Sequence, residues 1–265
     1  MRPGISLLFA LGRPLREALS VLPKLVELGA EVVELVDEGL HSLNMRRLRL
    51  VRKALSEHEL EVAIHAPFVD LNIGSPHEPT RRFMLKRLLR SLGAASYLEA
   101  SAWVFHPGLL TGISHFYPGV EWRQNMRSVR ELAEKAEELG VRVFIENGME
   151  PVPFLLKKVE DFKRFFSELG DDLNVGLALD IAHAFLCGQV SDFIRSFSNR
   201  IGHIHIHDND GKTDLHLGLG SGKLNWREAL RELWLVGYRG PVVVESVERA
   251  LESLELLSSF TSTLR

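Results

Sequence analysis

The chain has 265 residues and a formal net charge of −3, with 45% hydrophobic and 25% charged residues. This composition is that of a globular protein with ample material for a core, which excludes a chain that is disordered throughout. The small net charge excludes a general electrostatic attraction to nucleic acid or to an anionic membrane surface. Cys187 is the single cysteine, so an intrachain disulfide is excluded and a reducing compartment is expected.

The first apolar run, residues 5–11, is too short to span a membrane, which needs roughly 18 residues. Arg13 and Pro14 follow it at once. We therefore interpret the run as a buried strand and not as a secretion signal. We expect a cytoplasmic protein with no membrane partner and no obligate protein partner.

Short apolar runs alternate along the chain with longer segments of helical periodicity. The runs predict strands near residues 4–10, 31–37, 60–65, 102–106, 141–147, 174–180, 201–207 and 241–246. Helical spacing of apolar residues is clearest at Val129, Leu132, Ala133 and Ala136, and at Trp226, Ala229, Leu230 and Leu233. Gly29 and Gly140 stand where helices are expected to end before the next strand.

Eight strands alternating with helices predict an α/β fold, a single (β/α)8 TIM barrel. The strands read as continuous apolar runs, which is typical of parallel strands covered on both faces. A doubly wound open sheet is the alternative, but it usually has a glycine-rich phosphate loop after its first strand, and none occurs here. Because no linker interrupts the pattern, we expect one domain over residues 1–265.

Nine residues of metal-ligating type fall at or just beyond the C-terminal ends of six consecutive predicted strands. They are His65, His106, Glu146, Asp180, His183, His205, Asp214, His216 and Glu245. In a barrel these strand ends form one face, where active sites are built, so the nine side chains are expected to converge. Four carboxylates in one buried place would repel each other, and divalent cations would relieve that repulsion.

The mixture of imidazoles and carboxylates without thiolates suits Zn²⁺, Mn²⁺, Co²⁺ or Fe²⁺. A catalytic zinc ion takes about three protein ligands plus water, so nine ligands exceed what one ion needs. We therefore expect up to three divalent ions, with Zn²⁺ as the first choice and Mn²⁺, Co²⁺ or Mg²⁺ as alternatives.

Several segments together resemble the xylose isomerase-like barrel superfamily, which contains sugar and sugar-phosphate isomerases and epimerases as well as endonuclease IV, an apurinic-site DNA repair enzyme. Examples are His-Ala-Pro-Phe at 65–68, Phe-His-Pro-Gly at 105–108 and Leu-Asp-Ile-Ala-His-Ala-Phe at 179–185. The others lie at residues 72–76, 145–147, 205–208, 214–220 and 244–245. The resemblance thus covers most of the chain and implies a barrel enzyme that depends on divalent metal.

The resemblance implies different metal sites in its two branches. In the endonuclease, residues matching all nine candidates hold a trinuclear zinc cluster. In the isomerases and epimerases, residues matching Glu146, Asp180, His205 and Glu245 hold one ion, and the two glutamates also transfer the proton. The second strand, residues 33–37, resembles the isomerase branch, and the arginine-bearing loop of the endonuclease is not recognisable after it. Ser221 stands where both branches usually have a glutamate.

Other polar and apolar residues near these segments have two interpretations each. Phe68 and Val69 match the positions at which the endonuclease wedges into DNA, or they form an apolar cap over the barrel mouth. His203 and His207 share a strand face with His205 and are assigned supporting or substrate roles. A helical cluster of Arg81, Arg82, Lys86, Arg87 and Arg90 is interpreted as a solvated face and not as a DNA-binding surface.

These observations leave two catalytic hypotheses. The favoured one is hydrolysis of a phosphoester such as abasic DNA, with Glu146 bridging ions and Glu245 positioning the attacking water. It is favoured because the histidines outside the mononuclear set have no evident role in an isomerase. The alternative is isomerisation or epimerisation of a sugar or sugar phosphate, in which Glu146 and Glu245 move the proton. The completeness of the ligand set disfavours a third possibility, a binding protein without catalysis.

Overall fold

The computed structural model describes residues 1–264, in which eight parallel strands form a closed barrel in chain order. The predicted (β/α)8 architecture is therefore confirmed. The strands are β1 (Arg2–Ser6), β2 (Val32–Val36), β3 (Glu61–His65), β4 (Ala102–Phe105), β5 (Val143–Glu146), β6 (Val175–Asp180), β7 (Ile201–Ile206) and β8 (Pro241–Val244). Pairing of β1 with β8, from Arg2 opposite Pro241 to Ile5 opposite Val244, closes the ring.

Helices surround the barrel on its outside. They are α1 (Leu15–Leu19), α2 (Leu22–Glu27), α3 (Met45–Leu55), α4 (Glu78–Tyr97), α5 (Val120–Leu139), α6 (Val159–Leu169), α7 (Ile181–Leu186), α8 (Val190–Ser196), α9 (Trp226–Leu235) and α10 (Ala250–Thr263). Short 3₁₀ helices span Leu7–Ala10, Gly39–His41 and Gly112–His115. In the part of the chain that the structure describes, no helix is long and apolar enough to cross a membrane.

The first predicted strand, residues 4–10, starts two residues too late and ends four residues too late. The strand ends at Ser6, and the apolar run continues as a 3₁₀ turn in which Leu7 and Ala10 are buried. A short apolar run predicts burial without distinguishing a strand from a turn that packs on the core. The helical stripes are confirmed, since Val129, Leu132, Trp226 and Leu230 are all buried, and α5 ends at Gly140 in a left-handed conformation (φ 66°).

Apolar side chains fill the inside of the barrel on the N-terminal side of the candidate site residues. The cluster consists of Val32, Ala63, Ala102, Val104, Phe144, Ala178 and Val243. The Phe144 ring takes the place that side chains would need at Gly176 and Gly202, because a Cβ atom at either position would collide with it. The barrel is thus a packed core and not a pore.

The strand alternation places the candidate site residues one layer above this cluster. Two residues after Ala63 comes His65, and in the same way Val104 precedes His106, Phe144 precedes Glu146, Ala178 precedes Asp180 and Val243 precedes Glu245. Because side chains alternate along a strand, each of these pairs points to the same side. The sequence therefore builds a polar ring at the C-terminal end of an apolar plug.

Candidate metal centre

The structure brings the nine predicted residues together in three groups, within each of which the ligand atoms lie within 4.8 Å of one another. One group is His65, His106 and Glu146. The second is Glu146, Asp180, His205 and Glu245. The third contains His183, Asp214 and His216, together with His207. Glu146 joins the first two groups, which makes it the central carboxylate of the site.

Glu146 contacts three histidines most closely, one on β3, one directly after β4 and one on β7. Its Oε2 lies 3.3 Å from His65 Nε2 and 3.0 Å from His106 Nε2, and its Oε1 lies 3.1 Å from His205 Nδ1. Glu245 Oε2 lies 3.6 Å from the same Nδ1 of His205. The two glutamates that the sequence predicts to be catalytic therefore share one histidine and one buried space.

Three histidines are oriented in the same way, by a hydrogen bond from the ring to a backbone carbonyl. His65 Nδ1 lies 2.8 Å from the Ala66 carbonyl, and His216 Nδ1 lies 2.8 Å from the Glu245 carbonyl. His183 Nδ1 lies 2.9 Å from the Asn147 carbonyl. A carbonyl can only accept, so each Nδ1 carries a proton. Each Nε2 faces the carboxylates and is the nitrogen that could bind an ion once it has lost its own proton. This is the arrangement that metal-binding histidines adopt in proteins.

Several buried polar atoms in this region have no hydrogen-bond partner among the described residues. They include Asp180 Oδ2, His183 Nε2, His207 Nε2 and Asp214 Oδ1. Such atoms are costly to bury unless something satisfies them. Because unpartnered carboxylate oxygens and imidazole nitrogens converge in one place, the residues fit one or more divalent cations.

The carboxylates of the site raise the pKa values of several of its histidines. Burial alone lowers the pKa of His65, but Glu146 and then Glu245 outweigh burial and raise it to about 9. Burial is likewise outweighed at His216, mainly by Asp214, and its pKa is raised to about 9. At His183, Asp180 and Asp214 overcome burial and raise the pKa to about 10. Without an ion, the site therefore stabilises protonated histidines in place of a cation.

These shifts predict how the metal-free protein responds to pH. A histidine whose folded-state pKa is raised from 6.5 to about 9 contributes stability that is fully present below pH 6.5 and lost as the pH rises through 9. We expect the melting temperature of chelator-treated protein to fall by on the order of 5 °C between pH 6.5 and 9. Thermal unfolding followed by circular dichroism measures it. A zinc-saturated sample is the control, because metal-bound histidines are already neutral, and a flat profile for the metal-free protein would contradict the prediction.

Two residues of the site were missed or underrated by the sequence reasoning. Glu34, in the middle of β2, is fully buried and contacts His203 and His205. The available signal was a carboxylate inside an otherwise apolar strand. His207, assigned only a supporting role, places Nε2 3.3 Å from Asp180 Oδ2 and 3.5 Å from Asp214 Oδ1.

The interpretation of the basic helix as a solvated face is wrong for Arg81. This side chain is fully buried and bonds Glu78, Ser128 and Glu131, so it joins α4 to α5. Arg82 and Arg87 are also engaged, the first with Glu78 and the second with Glu38. Single-helix periodicity cannot reveal such partners, because they belong to a neighbouring helix or a distant loop.

A cavity of about 280 Å³ opens above the candidate metal ligands. Its polar lining consists of His65, His106, Glu146, His183, Asp214, His216 and Glu245. Its apolar lining consists of Leu8, Val36, Phe68, Met149, Val152 and Phe154. Phe68 stacks edge-on against His65, with ring centroids 5.3 Å apart, while Val69 is 46% exposed. The position of Phe68 agrees with its interpretation as an apolar cap. No lysine or arginine is among the described residues that line this cavity.

A family profile described as the xylose isomerase-like TIM barrel matches residues 22–260. The chain belongs to the xylose isomerase-like TIM barrel family. The resemblance inferred from the motifs is thereby confirmed, and the family contains proteins of more than one activity.

The relatives that match include one without an assigned activity and two with named activities. An uncharacterised protein of Methanocaldococcus jannaschii is 30% identical over 98% of this chain and 89% of its own length. A D-psicose 3-epimerase of Ruminiclostridium cellulolyticum is 24% identical over 86% of this chain and 78% of its own length. A probable endonuclease 4 of Aquifex aeolicus is 27% identical but covers 63% of this chain and 64% of its own length.

Among solved structures, a D-tagatose 3-epimerase-like protein superposes with a TM-score of 0.89 at 28% identity. It covers 100% of this chain and 98% of its own. The likeness therefore extends over the whole chain.

Proposed function

We propose that this protein is a divalent-metal-dependent epimerase or isomerase that acts on a small sugar carrying a ketone. The observation that carries the proposal is the convergence of Glu146, Asp180, His205 and Glu245 in one buried group. Two of the four, Glu146 and Glu245, also line a small cavity. Likeness to proteins named as 3-epimerases over most of the chain supports it. The alternative from the sequence is thus preferred to the phosphoester hydrolase.

The four residues offer a divalent ion three carboxylates and one imidazole. When bound, such an ion polarises the carbonyl and the neighbouring hydroxyl of a sugar, which acidifies the C–H bond between them. One glutamate takes that proton, and the electron pair of the broken C–H bond moves into the carbonyl. Return of a proton to the same carbon from the other side inverts it. Return of the proton to the former carbonyl carbon, together with transfer of the hydroxyl proton to the former carbonyl oxygen, isomerises the sugar.

The positions of Glu146 and Glu245 support these two roles in proton transfer. They end β5 and follow β8, which are separated by two strands on one side of the ring. The carboxylates therefore enter the site from different directions. Glu146 is braced by His65 and His106, and this contact gives those two histidines a role that does not require hydrolysis.

The walls of the cavity support an uncharged substrate. Leu8, Phe68, Met149 and Phe154 provide apolar surface for the carbon backbone of a sugar. The lysine and arginine side chains that commonly bind a phosphate are absent from the described residues that line the cavity. The engaged Arg81, Arg82 and Arg87 also leave less free positive charge on α4 for a DNA backbone.

The proposal is tested by proton exchange in heavy water. Purified protein with Mn²⁺ or Co²⁺ is incubated with free ketoses, among them D-psicose, D-tagatose and D-fructose, and proton NMR follows the carbon next to the carbonyl. We expect deuterium incorporation together with a new epimer or aldose, and both should stop after EDTA treatment. Metal-dependent cleavage of an abasic duplex without any exchange into sugars would instead establish the hydrolase.

The other candidate ligands stay part of the proposal as sites for further ions. His65 and His106 can share an ion with Glu146, and His183 can share one with Asp214 and His216. Zn²⁺, Mn²⁺ and Co²⁺ all suit these donors.

A further inference from the structure

His205 differs from the other histidines of the site in how its ring is oriented. Its Nδ1 faces the proposed ion, 3.1 Å from Glu146 Oε1 and 3.6 Å from Glu245 Oε2. Its Nε2 points away, and the partner there is a side-chain carboxylate: Glu34 Oε2 lies 3.1 Å away. At His65, His183 and His216 the corresponding partner is a backbone carbonyl.

Burial of the Glu34 carboxylate at its position costs folding free energy. It lies in β2, where all five residues are buried, and its own side chain is fully buried. Its described ion-pair partners are His203 and His205, and neither is a lysine or an arginine. An isolated buried carboxylate destabilises a fold unless charged or hydrogen-bonding groups compensate it. An apolar side chain at this position would pack without that cost. The presence of a carboxylate therefore indicates that it acts on the two histidines.

His203 contacts this carboxylate from the side-chain layer below His205. It precedes His205 by two residues on β7, so the two rings lie on the same side of the strand. His203 Nε2 lies 3.0 Å from the same Glu34 Oε2, but not in hydrogen-bonding geometry, whereas His205 Nε2 forms the hydrogen bond. The stronger contact of Glu34 is therefore with the ring that faces Glu146.

We propose that Glu34 is a positioning residue that accepts a hydrogen bond from Nε2–H of His205 and so fixes the tautomer in which Nδ1 is free to bind the ion. The inference rests on the proposed function in one respect, that His205 is a metal ligand. A carboxylate partner orients a ligating imidazole and makes it more basic, so it strengthens the bond to the metal.

The first test is the affinity of the site for Zn²⁺ in Glu34→Gln, measured by competition with a chromogenic chelator. Gln keeps the size of the side chain but removes the charge, and we expect the affinity of the tightest site to fall by about 10- to 100-fold. Raising the Zn²⁺ concentration should restore occupancy. Ser6→Ala is the matched control, because Ser6 is buried opposite Glu34 in the sheet and its hydroxyl has no partner among the described residues. Its affinity should equal that of the unaltered protein.

The outcomes separate the two proposals. Equal Zn²⁺ affinity of Glu34→Gln and the unaltered chain would overturn the role of Glu34 while leaving the metal site intact. Failure of the unaltered chain to bind a divalent ion would overturn the proposed function itself.

A second measurement needs no substitution and covers the case in which Glu34→Gln does not fold. Nitrogen-15 NMR of the zinc-loaded protein reports which ring nitrogen of each histidine is protonated. We expect His205 to be protonated at Nε2, and His65, His183 and His216 to be protonated at Nδ1. Protonation of His205 at Nδ1 would overturn the inference.

Discussion

Glu245→Gln should reduce proton exchange into the sugar substrate by about 10²- to 10⁴-fold, the usual contribution of a general acid or base. Gln retains an oxygen that can bind the ion but cannot take up a proton. The side chain can be changed without loosening its surroundings, because it is the Glu245 backbone carbonyl, not the carboxylate, that accepts from His216. The expected loss is therefore in the rate of proton transfer and not in the fold.

Exchange is measured by NMR on whichever ketose the protein turns over, and metal content is measured on the same samples. Glu248→Gln is the control, since Glu248 lies three residues further along the same loop and is exposed. A Glu245→Gln protein that still binds metal and exchanges protons at the original rate would remove Glu245 from the mechanism.

The sequence was sufficient to predict the barrel because the barrel leaves a signal at every strand. Each buried strand is a run of apolar residues, and each covering helix repeats them at helical spacing. The convergence of the nine candidate ligands was also predictable, because a polar residue at the end of an apolar strand has only one face of the barrel to point to. The element ends were less predictable, as the turn at Leu7–Ala10 shows.

What the sequence left open depends on contacts between distant segments. Glu34 and His205 are 171 residues apart, and strand pairing around the ring brings them within hydrogen-bonding distance. The engagement of Arg81 with Glu131 on α5 is of the same kind. The choice of hydrolase over epimerase rested on histidines without an evident role, and the contacts of His65 and His106 with Glu146 supply one.

Asp180→Asn should abolish most of the sugar chemistry, with a decrease of about 10³-fold, because it weakens the central ion that polarises the substrate. The substitution is structurally mild. Asp180 Oδ1 accepts from His183 N at 2.7 Å and caps α7, and asparagine is an equally good cap. What is lost is the charge of Oδ2, which is buried without a hydrogen-bond partner among the described residues.

Asp214→Asn is the matched comparison, because Asp214 belongs to the group with His183 and His216 and not to the central group. Elemental analysis of metal per chain and NMR exchange rates are compared for the two variants. If the central group alone performs the proton transfer, Asp214→Asn should lose metal from its own group but lose less than about tenfold in rate, since it leaves the central polarising ion in place. If the rate falls equally in both variants and abasic DNA is cleaved by the unaltered protein, the ions act as one cluster and hydrolysis is the chemistry of this site. A difference in exchange rate between the two variants, whose positions are 34 residues apart, would thus decide the role of the extra histidines. They either take part in the reaction or only stabilise the loops in which they lie.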